Sequence, residues 1–152
     1  ASLETRYAYH AAIGALRDDV IAVGIEAREA RVEAFDPFAM RVRGAAISLG
    51  EAAEPVGTGR SIDVAGSSKL GVAGVCWAVG RSDRGGVEGG GSGIDFRVVG
   101  PDGHPIGAAV HVVAGEFRGG LVNCSVGTDE EGFLVGWWDG SALWVRRVTL
   151  AP

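Results

Sequence analysis

The sequence predicts an all-β chain built from repeated antiparallel sheets, on three observations. Apolar residues alternate with period two along most of its length, and almost nothing runs at helical spacing. The segment Gly71-Val72-Ala73-Gly74-Val75-Cys76-Trp77 returns sixty-one residues later as Gly132-Phe133-Leu134-Val135-Gly136-Trp137-Trp138, which marks copies of one supersecondary unit. Turn chemistry punctuates the apolar runs throughout, with 26 glycines spread through every segment of the 152 residues.

In chain order, Tyr7 to Asp18 has the alanines and leucines of a helix. It nevertheless occupies the place that Arg60 to Lys69 and Gly120 to Glu131 occupy in the later copies, so a strand and turn is expected. Short strands follow over Val20 to Ile25, Arg31 to Phe35, Arg41 to Leu49 and Ser61 to Ala65, then Leu70 to Val79 and Ile94 to Val99. Ala108 to Val113, Leu121 to Val126, Phe133 to Trp138 and Leu143 to Leu150 complete the set. Asp36-Pro37, Gly100-Pro101-Asp102-Gly103, Thr128 to Gly132 and Asp139-Gly140-Ser141 are turns, with φ fixed by proline or freed by glycine. The insertion from Arg81 to Gly93 lengthens the middle copy. Its GxG spacings do not make a phosphate loop, because no helix follows to present amide groups.

The copies correspond beyond the first match. Ile94-Asp95-Phe96-Arg97-Val98-Val99 answers Leu143-Trp144-Val145-Arg146-Arg147-Val148, and a weaker first copy aligns Val20 to Val23 with Val72 and Phe133. Approximate copies span 7–59, 60–119 and an incomplete 120–152. Four short antiparallel strands per copy, at this period, is the arithmetic of a β-propeller blade. Three copies are too few to close a ring, since propellers typically have about four to eight blades. A partial propeller, or a ring completed by self-association or a companion polypeptide, is therefore expected.

Composition excludes several classes. A net charge of −5 and one lysine, Lys69, among fourteen basic residues give no cationic surface for nucleic acid. Arg146 and Arg147, adjacent on a strand, point to opposite faces. The apolar runs fall far short of the roughly 18 residues of a membrane-crossing helix. The chain starts at Ala1, as expected of a processed or trimmed product. Cys76 and Cys124 have no CxxC neighbour and no histidine at ligand spacing, so they are either buried free thiols or a disulfide joining neighbouring strands. No calcium-loop pattern is present, and neither a metal nor another cofactor is expected.

The units GFLVGWWDGSALWVRRV and IDFRVVGPDGHPIGAAVHVVAG resemble the repeats of large secreted β-propeller proteins of myxobacteria and related bacteria. In those repeats a strand ending in tryptophan is followed by a short turn, a strand ending in Arg-Val, and a D-x-x-G-x-P turn. The resemblance covers nearly the whole chain and implies a propeller fold and a secreted or cell-surface location. The first copy departs from it, with Gly24 and Ile25 where later copies carry Cys-Trp or Trp-Trp.

For function, the aromatics come first. Trp137 and Trp138 must face opposite sides of one strand, one toward the core and the other toward a surface. Trp77 and Trp138 are taken as equivalent. The candidate ligand-binding residues are Trp138, Asp139, Trp144 and Trp77, with Trp77 favoured as core and Trp144 as the exposed member. Asp18-Asp19, Asp129-Glu130-Glu131 and Asp139 read as solvated turn residues that fall in corresponding turns. Carboxylate pairs for glycoside hydrolysis can be drawn from them only arbitrarily. His10, His104 and His111 form no ligand motif. Ser61, His111 and Asp63 supply the residue types of a triad, but no G-x-S-x-G elbow activates the serine. The function expected from the sequence is a non-catalytic binding or scaffold module. Lectin-like carbohydrate binding through the tryptophans is the alternative, with a glycan as partner, and a hydrolase ranks below both.

Overall fold

The computed structural model describes residues 11–39, 41–53, 61–80, 91–114, 123–129, 131–139 and 141–150. Tyr7 to His10, most of the insertion (81–90), Leu121, Val122, Glu130 and Gly140 lie outside them. Twelve strands and no helix are found among the described residues. All strand pairs are antiparallel.

The first sheet holds β1 (Ala11–Leu16), β2 (Asp19–Glu26), β3 (Glu29–Asp36), β4 (Arg41–Val42) and β5 (Ile47–Glu51). The segment expected to be helix or strand on conflicting grounds is strand from Ala11 onward, because repeat position outweighs alanine's helix propensity. The single strand expected over Arg41 to Leu49 is broken in two, and both halves pair β3. The break falls at Gly44, whose φ of +129° suits glycine alone, just after the Arg43 amide donates to the Ala34 carbonyl at 2.8 Å.

The second sheet runs β6 (Ile62–Ser67), β7 (Val72–Gly80), β8 (Gly91–Val99), β9 (Pro105–Ala114) in order. The third holds β10 (Cys124–Thr128), β11 (Gly132–Trp138) and β12 (Leu143–Thr149). Turn carboxylates close their own turns. Asp36 Oδ1 accepts the Phe38 and Ala39 amides at 3.0 and 2.9 Å, and Asp129 Oδ1 accepts those of Glu131 and Gly132 at 2.8 and 2.9 Å.

The sheets pack face to face in sequence order, with the leading strands side by side, β1 on β6 and β6 on β10. One apolar cluster joins the first two sheets: Ile21, Val23 and Val32 meet Val75, Trp77 and Val99. A second joins the next two, where Cys76, Phe96 and Val98 meet Cys124, Phe133, Val135 and Trp137. Phe96 and Phe133 have ring centroids 5.4 Å apart, within the spacing of a favourable aromatic pair.

This packing corrects the repeat alignment by one residue. Ala73, Val75 and Trp77 face the sheet before theirs, as Phe133, Val135 and Trp137 do. Trp77 is therefore equivalent to Trp137, not to Trp138, and the offset along this strand is sixty. A one-residue slip sends every side chain to the opposite face. Cys76 lies on the second strand of its sheet and Cys124 on the first strand of the next, so the two cysteines are not counterparts within the repeat.

Candidate functional site

The described residues form a half-open pocket of about 300 Å³ where turns of the first two sheets meet, at the small end of the size range of ligand sites. Its first wall is the β1–β2 hairpin. Leu16 pairs with Asp19, which leaves Arg17 and Asp18 as a two-residue turn. A turn this short needs positive φ, and Arg17 supplies it at 38° despite its side chain. Non-glycine residues held in this region are strained, and such strain clusters at functional sites.

Asp18 and Asp19 are treated differently by their surroundings. Asp19 begins β2, and its Oδ1 lies 2.5 Å from Arg43 Nη1. Asp18 is exposed, lines the pocket, and has no hydrogen bond or ion pair among the described residues.

The second wall is the β6–β7 turn, with Ser68, Lys69, Leu70 and Gly71 on the pocket. It is closed by the Gly71 amide on the Ser67 carbonyl at 2.8 Å and by the Leu70 amide on Ser67 Oγ at 3.3 Å. Gly71 has a φ of +69°, so glycine is required there. Pro101, from the β8–β9 turn, completes the lining. The pocket thus offers carboxylates from Asp18 and Asp19, cations from Arg17 and Lys69, and the Ser68 hydroxyl, above the apolar floor of Leu16 and Leu70. No local motif announces it, because its parts come from three separate turns.

Of the four residues expected to bind a ligand, Asp139 and Trp144 are brought into contact, and Trp77 and the Trp138 ring lie apart from them. Trp77 is 0 % exposed, and its indole Nε1 donates to the Glu51 carbonyl at 2.9 Å. A sealed ring cannot stack on a ligand, which removes Trp77 from the set and fits its core reading. Trp138 and Trp144 are 47 % and 50 % exposed but face opposite sides of the third sheet, since Trp138 pairs with Leu143 while Trp144 pairs with Trp137. They form no common platform.

Asp139 is occupied by its own turn. Its Oδ1 accepts the Ser141 and Ala142 amides at 2.8 and 2.9 Å and the Ser141 hydroxyl at 2.7 Å, and its Oδ2 accepts Trp144 Nε1 at 2.6 Å. The Ala142 amide, the Ser141 donors and the indole together hold its carboxyl far below the usual carboxylate range.

The triad residue types do not assemble. His111 Nδ1 lies 2.5 Å from Asp95 Oδ1, on the face toward the first sheet. Asp63 points the other way, and its Oδ2 accepts the Val126 amide at 3.0 Å. Among the described residues no group of three His, Cys, Asp or Glu side chains could hold a metal ion.

No family model matches the chain, and no curated protein matches it. A search of solved structures found similarity to the GH43 endo-arabinanase from Bacillus licheniformis, at a TM-score of 0.42 and 13 % identity. The match covers 92 % of this chain and 53 % of that one, so the chain spans about half that protein's length. That neighbour is a glycan-cleaving enzyme, an endo-arabinanase. This neighbour stands against the expectation of a non-catalytic binding or scaffold module with its lectin-like alternative, which is not carried further.

Proposed function

We propose that the three sheets are successive blades of a β-propeller, and that the chain acts on a small polyhydroxylated substrate in the pocket beside Arg17 and Asp18. The observation that carries this reading is the contrast between two adjacent carboxylates at one cavity. Asp19 is neutralised by Arg43 at 2.5 Å, whereas Asp18 faces the cavity without a partner among the described residues. Asp18 is then the general base, since an unpaired carboxylate can take a proton from a substrate hydroxyl. Asp19 accepts hydrogen bonds from substrate hydroxyls, while Arg17, Lys69 and Ser68 donate to ring and hydroxyl oxygens. The cavity volume admits about one sugar-sized unit.

Saturation-transfer NMR over a panel of monosaccharides and short oligosaccharides, with release of reducing ends as the activity readout, tests this. Asp18→Asn should keep the melting temperature and lower turnover by about 10²-fold or more. Full turnover in Asp18→Asn, or no binding across the panel by a folded protein, overturns it.

The propeller reading also supports a partner. The outer face of the third sheet carries Leu143, Val145 and Trp138, at 70, 61 and 47 % exposure, around Gly127 and Gly136. The corresponding faces of the first two sheets are covered by the next sheet along. A second copy of this chain covers this one, which removes an apolar patch from water. Light scattering should give a dimer or larger species that Val145→Asp returns to monomer. A wild-type monomer at micromolar concentration opposes it.

A further inference from the structure

The junction between the second and third sheets contains the chain's two cysteines, and neither is used by the pocket. Both are free and 0 % exposed, one on each side of the same apolar cluster. Their approach follows from register. Asp63 sits directly across from Cys76 on the β6–β7 ladder, and its carboxylate holds the Val126 amide at 3.0 Å. Val126 lies two residues from Cys124 on β10, with both side chains directed at the second sheet. The hydrogen bond thus pins β6 against β10 beside the sulfurs, and β10 packs on both β6 and β7, so the two thiols share one apolar cluster across the sheet boundary.

We propose that Cys76 and Cys124 are a redox pair that a peroxide converts into a disulfide stapling the second sheet to the third. One sulfur attacks a peroxide oxygen, the O–O bond breaks, and water leaves a sulfenic acid. The second sulfur displaces hydroxide from that sulfenic sulfur, and a second water is released as the S–S bond forms. The two thiols give up two electrons and two protons, and one peroxide becomes two waters. The two strands that carry the sulfurs already pack against each other in one cluster, so closure is a local adjustment of β7 against β10. Burial sets the rate. It pushes the Cys76 thiol well up, helped by the neighbouring Cys124, so the reactive thiolate is scarce until the junction opens locally.

The loop closed would span residues 76 to 124, long enough for a cross-link to restrict the unfolded chain substantially. Hydrogen peroxide on the reduced, purified chain is the test, read by intact mass, thiol titration after denaturation, and thermal melting. The expected result is loss of two hydrogens, a fall from two titratable thiols to none, and a melting temperature raised by about 10 °C, all reversed by dithiothreitol. Cys124→Ala should abolish all three changes and give only oxygen adducts on Cys76. Persistence of both thiols at peroxide levels that oxidise a Cys76-containing unfolded peptide overturns the proposal. So does sulfinic acid on one cysteine with the other left free. The wild-type readings decide the matter even if the variant fails to fold.

Discussion

Arg97 and Arg146 make the same reach one sheet apart. Arg97, opposite Val75, sends Nη1 to the Leu49 carbonyl of the preceding sheet at 3.2 Å, and Arg146, opposite Val135, sends Nη1 to the Val112 carbonyl at 2.6 Å. Each acceptor lies on the outermost strand of the sheet before. The arginine common to both repeats is therefore a latch between sheets. It satisfies strand carbonyls that would otherwise face an edge.

Replacing either arginine with methionine keeps most of the stem packing and removes the charge-assisted hydrogen bond. Each change should cost about 1–3 kcal/mol in chemical denaturation. Because they act at different junctions, the double variant should lose the sum. A cost below about 0.5 kcal/mol for Arg97→Met, the level of ordinary surface changes, would show that the latch contributes nothing.

The strands and the equivalence of Arg97 and Arg146 were legible in the sequence because both are periodic, whereas the reach of these arginines to the preceding sheet was not. Alternation gave the strands, and the shared arginine spacing gave Arg97 and Arg146 their equivalence. Sheet faces were less legible, since repeats that look alike at an offset of sixty-one pack at sixty, and aromatic pairs such as Trp137-Trp138 tolerate either alignment. The break at Gly44 was missed because Ala45 to Leu49 continues the apolar run without a sign of the kink. The pocket was illegible for a different reason. Arg17, Lys69 and Pro101 are brought together by sheet packing alone, and no local spacing encodes that. The facing of Cys76 and Cys124 likewise depends on how β6 slides along β10.

Acid should weaken the fold through its turn carboxylates. Asp139, Asp129 and Asp36 are all held below the ordinary carboxylate range, chiefly by the backbone amides of Ala142, Glu131 and Ala39 respectively. A carboxyl whose folded value lies below its unfolded value of about 3.9 stabilises fully above that pH, and the contribution fades as pH falls toward the folded value. Melting temperature should be flat from neutral pH to about 5 and fall below about 4. Asp139→Asn should flatten part of that fall. A parallel curve for the variant would show that its turn contributes nothing pH-dependent.

Gly66 marks the closest approach of the first two sheets. A Cβ there would lie 1.9 Å from the Ala15 carbonyl oxygen and 2.7 Å from its carbon, and backbone atoms in a paired strand cannot move aside. Gly66→Ala should cost about 3 kcal/mol or more, the upper end of overpacking. Gly127→Ala has open space within 4 Å of its Cβ and should change stability by under about 1 kcal/mol. Urea titrations of both give the comparison, and equal costs would contradict the packing of β1 on β6.

The three tryptophans of β7 and β11 separate the two alignments of the repeat. If Trp77 and Trp137 occupy the same inward position, each should be costly to truncate, whereas Trp138 should not. Trp77 is fully buried and hydrogen-bonded to the Glu51 carbonyl at 2.9 Å, and Trp137 is 9 % exposed within the second cluster. Their alanine variants should each lose about 3–5 kcal/mol. Trp77→Phe should recover most of the packing but leave the Glu51 carbonyl short of a donor, a residual loss of about 1–3 kcal/mol. Trp138, on the open face, should lose under about 1 kcal/mol as a monomer while weakening self-association. Denaturation measured well below the association concentration, alongside light scattering above it, keeps the two effects apart. A severe loss for Trp138→Ala in the monomer, with Trp137→Ala nearly silent, would restore the sixty-one-residue offset and turn the third sheet over.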